Sequence, residues 1–308
     1  MRRVVFAVCA LALFPAAGKA ASFDCDKAHS PVEKTICADD YLSSLDSETA
    51  RFYRLAQARP DLLADQRQWN KDNAAHCFPA DDNAAKKCLV KRYEDRRLVL
   101  LGIVRREAAA KARATRVGPY AFQMVTIDFS KDRTVAYPLL ADRPASVAEA
   151  FDALVEPSDK EFLNYCEEQS LKVEIEKASD RIVTVRTETW MFCDGAAHGY
   201  GSAGDRSILM YPTPHWVAPE DLFRPGTPWR KVLGDKSVGA AGGAELTPEQ
   251  EQEVRQAAAE PRNWSVTPAG LTIGLGWLNG YVGGQADAEI AWDTLRDLLV
   301  ADPPVAPQ

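Results

Sequence analysis

After its first twenty residues this sequence lacks any long apolar run. A bilayer-crossing helix needs about 20 such residues, so the chain downstream is expected not to span a membrane. Histidine is scarce, with 4 in 308 residues. No two cysteines stand at the CxxC spacing of a zinc site. Only His29 and His76 lie near the first of them, so neither a metal centre nor another cofactor is expected. There is no internal repeat and no excess of basic charge. The formal net charge is −7, and it is unevenly spread. Residues 21–115 carry 17 Lys and Arg against 15 Asp and Glu, whereas residues 116–308 carry 17 against 29. So acidic a second half repels nucleic acid and anionic membranes and attracts cationic partners.

The one long apolar run, residues 4–14, follows Arg2 and Arg3. It precedes Pro15 and the small residues around Gly18-Lys19-Ala20. That is the order of a signal peptide, with cleavage expected near Ala20 and a periplasmic or secreted product. The run is about half the length a retained anchor would need. Cys9 lies inside it, not after it as in a lipoprotein. Removing residues 1–20 takes Cys9 away and leaves Cys25, Cys37, Cys77, Cys88, Cys166 and Cys193. An even number in an exported chain points to disulfides. Cys166 and Cys193 have only each other in the second half and are expected to pair. Spacing leaves the pairing of the other four open.

The first half reads as helical. Ser30-Pro31-Val32-Glu33 is a helix start, with a capping Ser, Pro in the first turn and Glu placed to answer the cap. Leu42, Leu45, Thr49, Phe52, Tyr53 and Ala56 recur at helical spacing, with Asp46, Glu48, Arg51 and Arg54 between them. Pro60 closes that segment. Leu62, Leu63, Gln66 and Trp69 start another helix, and residues 83–106 form a long one with its Lys and Arg outward. Gly118-Pro119 marks a boundary. Beyond it, strands are expected over 120–129, 171–176, 181–192, 206–211, 271–277 and 285–292. Helices are expected over 146–169, broken or bent near Pro157, and over 248–259, with a short one through Leu299. The fold class is therefore a small all-α, disulfide-stapled helical domain (21–108), a linker (109–117) and an α+β domain with a largely antiparallel sheet (118–300). Residues 301–308 form a tail.

Few residue groups suggest chemistry. Residues 199–204 satisfy GxGxxG, but a strand follows them where a dinucleotide site needs a helix. Asp194, His198 and Ser202 have the residue types of a hydrolytic trio. However, Tyr200 stands where a GxSxG elbow has its first Gly, and Asp194 and His198 suit turn-fixing hydrogen bonds. Trp190, Trp277 and Trp292 read as core, and Trp216 and Trp229 as better candidates for exposure. The pairs Asp39/Asp40 and Glu167/Glu168 read as solvated.

The segments Phe23-Asp24-Cys25, Ser30-Pro31-Val32-Glu33-Lys34-Thr35-Ile36-Cys37-Ala38-Asp39 and Asp65-Gln66-Arg67-Gln68-Trp69, with Leu42, Leu45-Asp46, Tyr53, Cys77, Cys88-Leu89 and Tyr93, resemble the N-terminal domain of LprI-type lysozyme inhibitors over about 23–105. The second half is similar to the C-terminal domain of the lysozyme-sensing anti-sigma factor RsiV and of PdaC-type deacetylases. That likeness rests on Phe192-Cys193-Asp194-Gly195-Ala196-Ala197-His198-Gly199, Glu220-Asp221-Leu222-Phe223, residues 280–284 and residues 292–299. Asp194 departs from that family's pattern, which has Gly there. In the deacetylases catalysis belongs to a separate module, so the resemblance implies a binding module. Together the two resemblances imply an exported, non-catalytic protein that inhibits or sequesters a lysozyme or related cationic muramidase. Asp194, Gly195, His198, Tyr200, Tyr281 and Gly284 are the candidate binding residues. The alternatives are a peptidoglycan-binding envelope protein and an envelope hydrolase using Asp194 and His198.

Overall fold

The computed structural model describes residues 21–56, 61–78, 81–159, 166, 168–193, 195–242, 246–275 and 287–304. The chain divides into two compact units, with the boundary between Val104 and Arg105.

The first unit is helical. After a 3-10 turn at Cys25–Lys27 come α1 (Pro31–Cys37), α2 (Asp40–Leu55), α3 (Leu62–Cys77) and α4 (Asp82–Lys111), the last turns of α4 lying past the boundary. The start of α1 is a reciprocal capping box. Ser30 Oγ accepts the Glu33 N–H at 3.1 Å, and the Glu33 carboxylate accepts the Ser30 and His29 N–H groups at 2.8 and 2.9 Å. Those backbone hydrogen bonds hold the Glu33 carboxyl below its usual range. Ser30→Ala is expected to destabilise this unit by about 1 kcal/mol, read as a lower urea midpoint at unchanged slope.

Asp39, read as solvated, instead caps α2. Its Oδ1 accepts the Leu42 N–H at 2.9 Å, and its other oxygen pairs with Lys86. Ile36, Leu42, Leu45, Leu89 and Tyr93 form the core, with Trp69 packed edge-on against Tyr93 at 4.9 Å. Disulfides join Cys25 to Cys37 and Cys77 to Cys88. The outward charges expected on α2 and α4 are partly inside: Asp46, Glu48, Arg96 and Arg97 are all buried. Each meets a polar partner there, and Glu48 pairs with Arg97. The Asp-Gln-x-x-Trp motif is accordingly structural. Arg96 of α4 donates to Gln66 at 2.7 Å, pairs with Asp65 at 2.7 Å and lies over the Trp69 ring.

The second unit continues with β1 (Ala114–Val117), β2 (Tyr120–Ser130), β3 (Arg133–Leu140), α5 (Ala145–Val155), β4 (Glu168–Ala178), β5 (Ile182–Phe192), β6 (Tyr200–Leu209) and β7 (His215–Trp216). These strands form one sheet in chain order. All pairings are antiparallel except β3 with β4, whose connection contains α5, the crossover that a parallel pair requires. Residues expected as a linker are the end of α4 and the edge strand β1. Gly118 turns the chain into β2 at φ 55°, and a Cβ there would meet the Ala178 carbonyl oxygen at 2.3 Å. The helix expected over 146–169 is broken after Val155, near Pro157 as expected; Asp159 is helical again, and β4 has begun by Glu168. Strand β3 escapes sequence patterning because Pro138 interrupts it.

Asp152 of α5 accepts the Leu140 N–H at 2.8 Å. Burial pushes its carboxyl up to about 6, Glu156 adds repulsion, and the Leu140 hydrogen bond opposes both. A raised carboxyl holds its proton longer in the native state. Its favourable contribution is therefore full below about pH 4 and is lost as pH rises through about 6. Asp152→Asn is expected to raise the melting temperature at pH 7.5, by about 1 kcal/mol of stability after allowance for solvent screening. At pH 3.5 the melting temperature should be unchanged. Thermal melts at the two pH values check this.

The rest of the second unit is α6 (Pro219–Leu222), α7 (Trp229–Ala240), α8 (Pro248–Ala258), β8 (Trp264–Val266), β9 (Gly270–Gly274), β10 (Asp287–Ala291) and α9 (Trp292–Leu295). Strands β10, β9 and β8 make a second antiparallel sheet in that order. Trp264 is fully buried, with Trp229 and Phe223 edge-on at 5.5 and 5.8 Å, and its indole N–H is satisfied by the Ala258 carbonyl. Trp229, expected to be exposed, is thus core, stacked on Phe223. Trp292 is core as expected, and Trp216 is half-buried beneath the Arg206 guanidinium. Trp277 and Glu167 lie outside the described residues. The architecture is a disulfide-stapled helical region followed by an α+β domain with a mostly antiparallel sheet.

Candidate binding site at the β5–β6 hairpin

Strands β5 and β6 pair from Ile182↔Leu209 out to Met191↔Tyr200. Their far end carries the connection from Cys193 to Gly199. Cys193 is joined to Cys166, which lies just before β4, so a covalent tie holds the base of the turn. The Ala196 N–H donates to the Cys193 carbonyl at 2.9 Å. Gly195 occupies the third position of this turn at φ 85°, a left-handed conformation that glycine adopts without steric cost.

Trp190, read from sequence as core, is 44% exposed at this tip. Its ring lies against Gly199, just before β6, and Gly201 within it. A Cβ on Gly199 would come within 2.4 Å of Trp190 Cζ2, and one on Gly201 within 3.2 Å of Cε3. The GxG spacing thus provides a flat bed for an indole, and no helix follows it. Tyr200 is 57% exposed. It stands opposite Met191, whereas Trp190 stands opposite Gly201. Cross-strand partners share a face and neighbours alternate, so the two aromatics project from opposite faces.

Trp190 shares its face with charged residues. Arg186 reaches Glu188 at 2.8 Å and Asp205 at 3.2 Å, and Lys172 pairs with Glu174 at 2.8 Å. The hydrogen bond from Arg186 holds the Glu188 carboxyl low. Asp287, at the start of β10, has its carboxyl pushed up by burial and by the charge of Asp205. Period-two reading of Arg186-Glu188-Trp190 would have placed Trp190 on the side of these charged residues. The residue type suggested core, and the pattern decided otherwise.

Of the six expected binding residues, Gly195, His198 and Tyr200 lie together at the tip. Asp194, Tyr281 and Gly284 fall outside the described residues. His198 Nδ1 is 3.0 Å from the Gly199 carbonyl oxygen, and the Ser202 hydroxyl bonds Thr189 Oγ1 at 2.8 Å. Among the described residues, therefore, no contact joins His198 to Ser202 as a base and nucleophile would be joined. No group of three or more His, Cys, Asp or Glu among them is placed to hold a metal ion. No helix among them is long and apolar enough to cross a membrane.

Residues 25–100 match the family model of the lysozyme inhibitor LprI. The match falls within the helical unit. No curated protein matches the chain. Among solved structures, a member of the DUF3298 family from Bacteroides fragilis is similar with a TM-score of 0.42 and 12% identity, covering 61% of this chain and 97% of that one. A DUF3298 family protein from Pseudomonas aeruginosa is similar with a TM-score of 0.42 and 13% identity, covering 65% and 99%.

Proposed function

We propose that this protein is an exported, non-catalytic binder that inhibits or sequesters a lysozyme-like muramidase. The observation that carries the reading is the LprI match over residues 25–100. Three disulfides suit an oxidising compartment, reached through a signal peptide cleaved near Ala20. The likeness of the second half to the C-terminal domain of RsiV supports the same partner class. A muramidase works with two carboxylates in a cleft, so an inhibitor need only fill that cleft and exclude substrate. The acidic second half would speed encounter with a cationic enzyme, and salt would slow it. Affinity would rest on a few buried aromatic anchors, and Trp190 on its glycine bed is the side chain best placed to be one.

Adding the oxidised mature chain to a lysozyme digesting suspended cell walls is expected to slow clearing in proportion to the chain added. An unchanged clearing rate at excess chain in low salt would overturn the reading. A second reading, direct peptidoglycan binding, is favoured by the same exposed indole, whose flat face suits the apolar side of a sugar ring. It predicts co-sedimentation with purified cell walls and no effect on clearing.

A further inference from the structure

Asp46 on α2 is buried, at 8% exposure. It accepts two neutral donors, the Ser22 N–H at 2.7 Å on Oδ2 and the Tyr93 hydroxyl at 3.0 Å on Oδ1. Among the described residues no cation pairs with it. It lines a cavity of about 330 Å³ in the helical unit together with Ser22, Glu33, Asn70, Asn73 and Tyr93. Asn73 is 1% exposed, and its Oδ1 accepts from Arg92. The titratable groups of the cavity are therefore Glu33 from α1, Asp46 from α2 and Tyr93 from α4, two carboxyls and a phenol. Burial and the nearby Asp46 charge push the Tyr93 hydroxyl strongly up, so it stays neutral. A buried carboxylate without a counter-charge is costly, and the cavity lacks a cation.

The chain itself holds a cation in reserve. Ala21 is buried in the same core as Leu42, Leu45 and Tyr93, and it is the first residue after the expected cleavage point. Bond lengths limit consecutive backbone nitrogens to about 3.7 Å. The Ala21 nitrogen therefore lies within about 6.5 Å of Asp46 Oδ2. In the precursor that nitrogen is a neutral amide. Hydrolysis of the Ala20–Ala21 bond consumes one water, leaving a carboxylate on Ala20 and an amine on Ala21 that takes up a proton at neutral pH.

We propose that the α-ammonium group created at Ala21 by signal-peptide removal is the counter-ion of Asp46 and completes the helical unit. The inference rests on the export reading but not on the partner. Its consequence is that the precursor carries an uncompensated buried charge and is the less stable form.

The test uses full chains with oxidised disulfides, released in vitro from a removable fusion so that one begins at Ala21 and another carries Gly-Ser before it. At pH 6.5 the chain beginning at Ala21 should melt about 5 °C higher in its helical unit. An amine that gains a partner has a raised pKa. The advantage should therefore be full just below the unfolded value of about 7.8, lost as pH rises through the raised folded value, and lost also in acid once the carboxylate is protonated. In Asp46→Asn the two chains should melt together at every pH. Equal melting of the two wild-type chains at pH 6.5, or a difference that persists in Asp46→Asn, overturns the proposal. N-terminal sequencing of the exported protein tests the processing step separately; a start at any residue other than Ala21 overturns it as well.

Discussion

Trp190→Ala should weaken binding to lysozyme by about 30-fold or more, the loss of about 2 kcal/mol that marks an aromatic hot spot, while the melting temperature of the second unit stays within a degree or two. The two halves of this expectation have separate reasons. The indole is 44% exposed, so removing it opens no cavity in the core. In a complex the same ring would be desolvated on its outer face, with Gly199 and Gly201 keeping its inner face flat. Gly199→Ala should produce a smaller loss in the same direction, because the added methyl displaces the ring without deleting it. Titration calorimetry against a cationic lysozyme reads both variants. An affinity unchanged in Trp190→Ala would remove the hairpin tip from the interface, whatever the fate of the lysozyme reading itself.

Glu48→Ala should be the most damaging single change in the helical unit, costing about 3–5 kcal/mol. The Glu48 and Arg97 side chains are 7% and 5% exposed and form an ion pair between α2 and α4. Removing the carboxylate leaves a guanidinium buried without that counter-charge, whereas replacing both partners by apolar residues removes the desolvation cost along with the attraction. Glu48→Leu combined with Arg97→Met should therefore recover most of the loss. For a unit of this size the single variant should melt roughly 15 °C lower or more. A loss below 1 kcal/mol in chemical denaturation, or a double variant no better than the single one, would contradict the account of this pair.

The sequence was most readable where local chemistry decides structure. Ser30-Pro31-Val32-Glu33 announced the start of α1, and the alternation Leu171-Lys172-Val173-Glu174 announced β4. It was least readable where tertiary packing overrides residue type. Glu48 and Arg97 carry charge yet lie inside, because each supplies the partner the other needs across two helices far apart in sequence. Trp229 and Trp190 exchanged the roles expected of them. A proline-rich loop placed the first under Phe223, and strand alternation pushed the second to the solvated face beyond Arg186 and Glu188. At the candidate site, the local sequence picks out Gly195 and His198 in the turn and Tyr200 at the start of β6 as neighbours. The bed beneath Trp190 depends on cross-strand register, which no local pattern displays.

Hydrogen exchange of the oxidised chain with and without a cationic lysozyme tests the central claim most directly. Slower exchange at residues 188–203 of the β5–β6 tip, lost in Trp190→Ala, is the predicted result. An exchange profile that lysozyme leaves unaltered there, under conditions where the clearing assay shows inhibition, would contradict it.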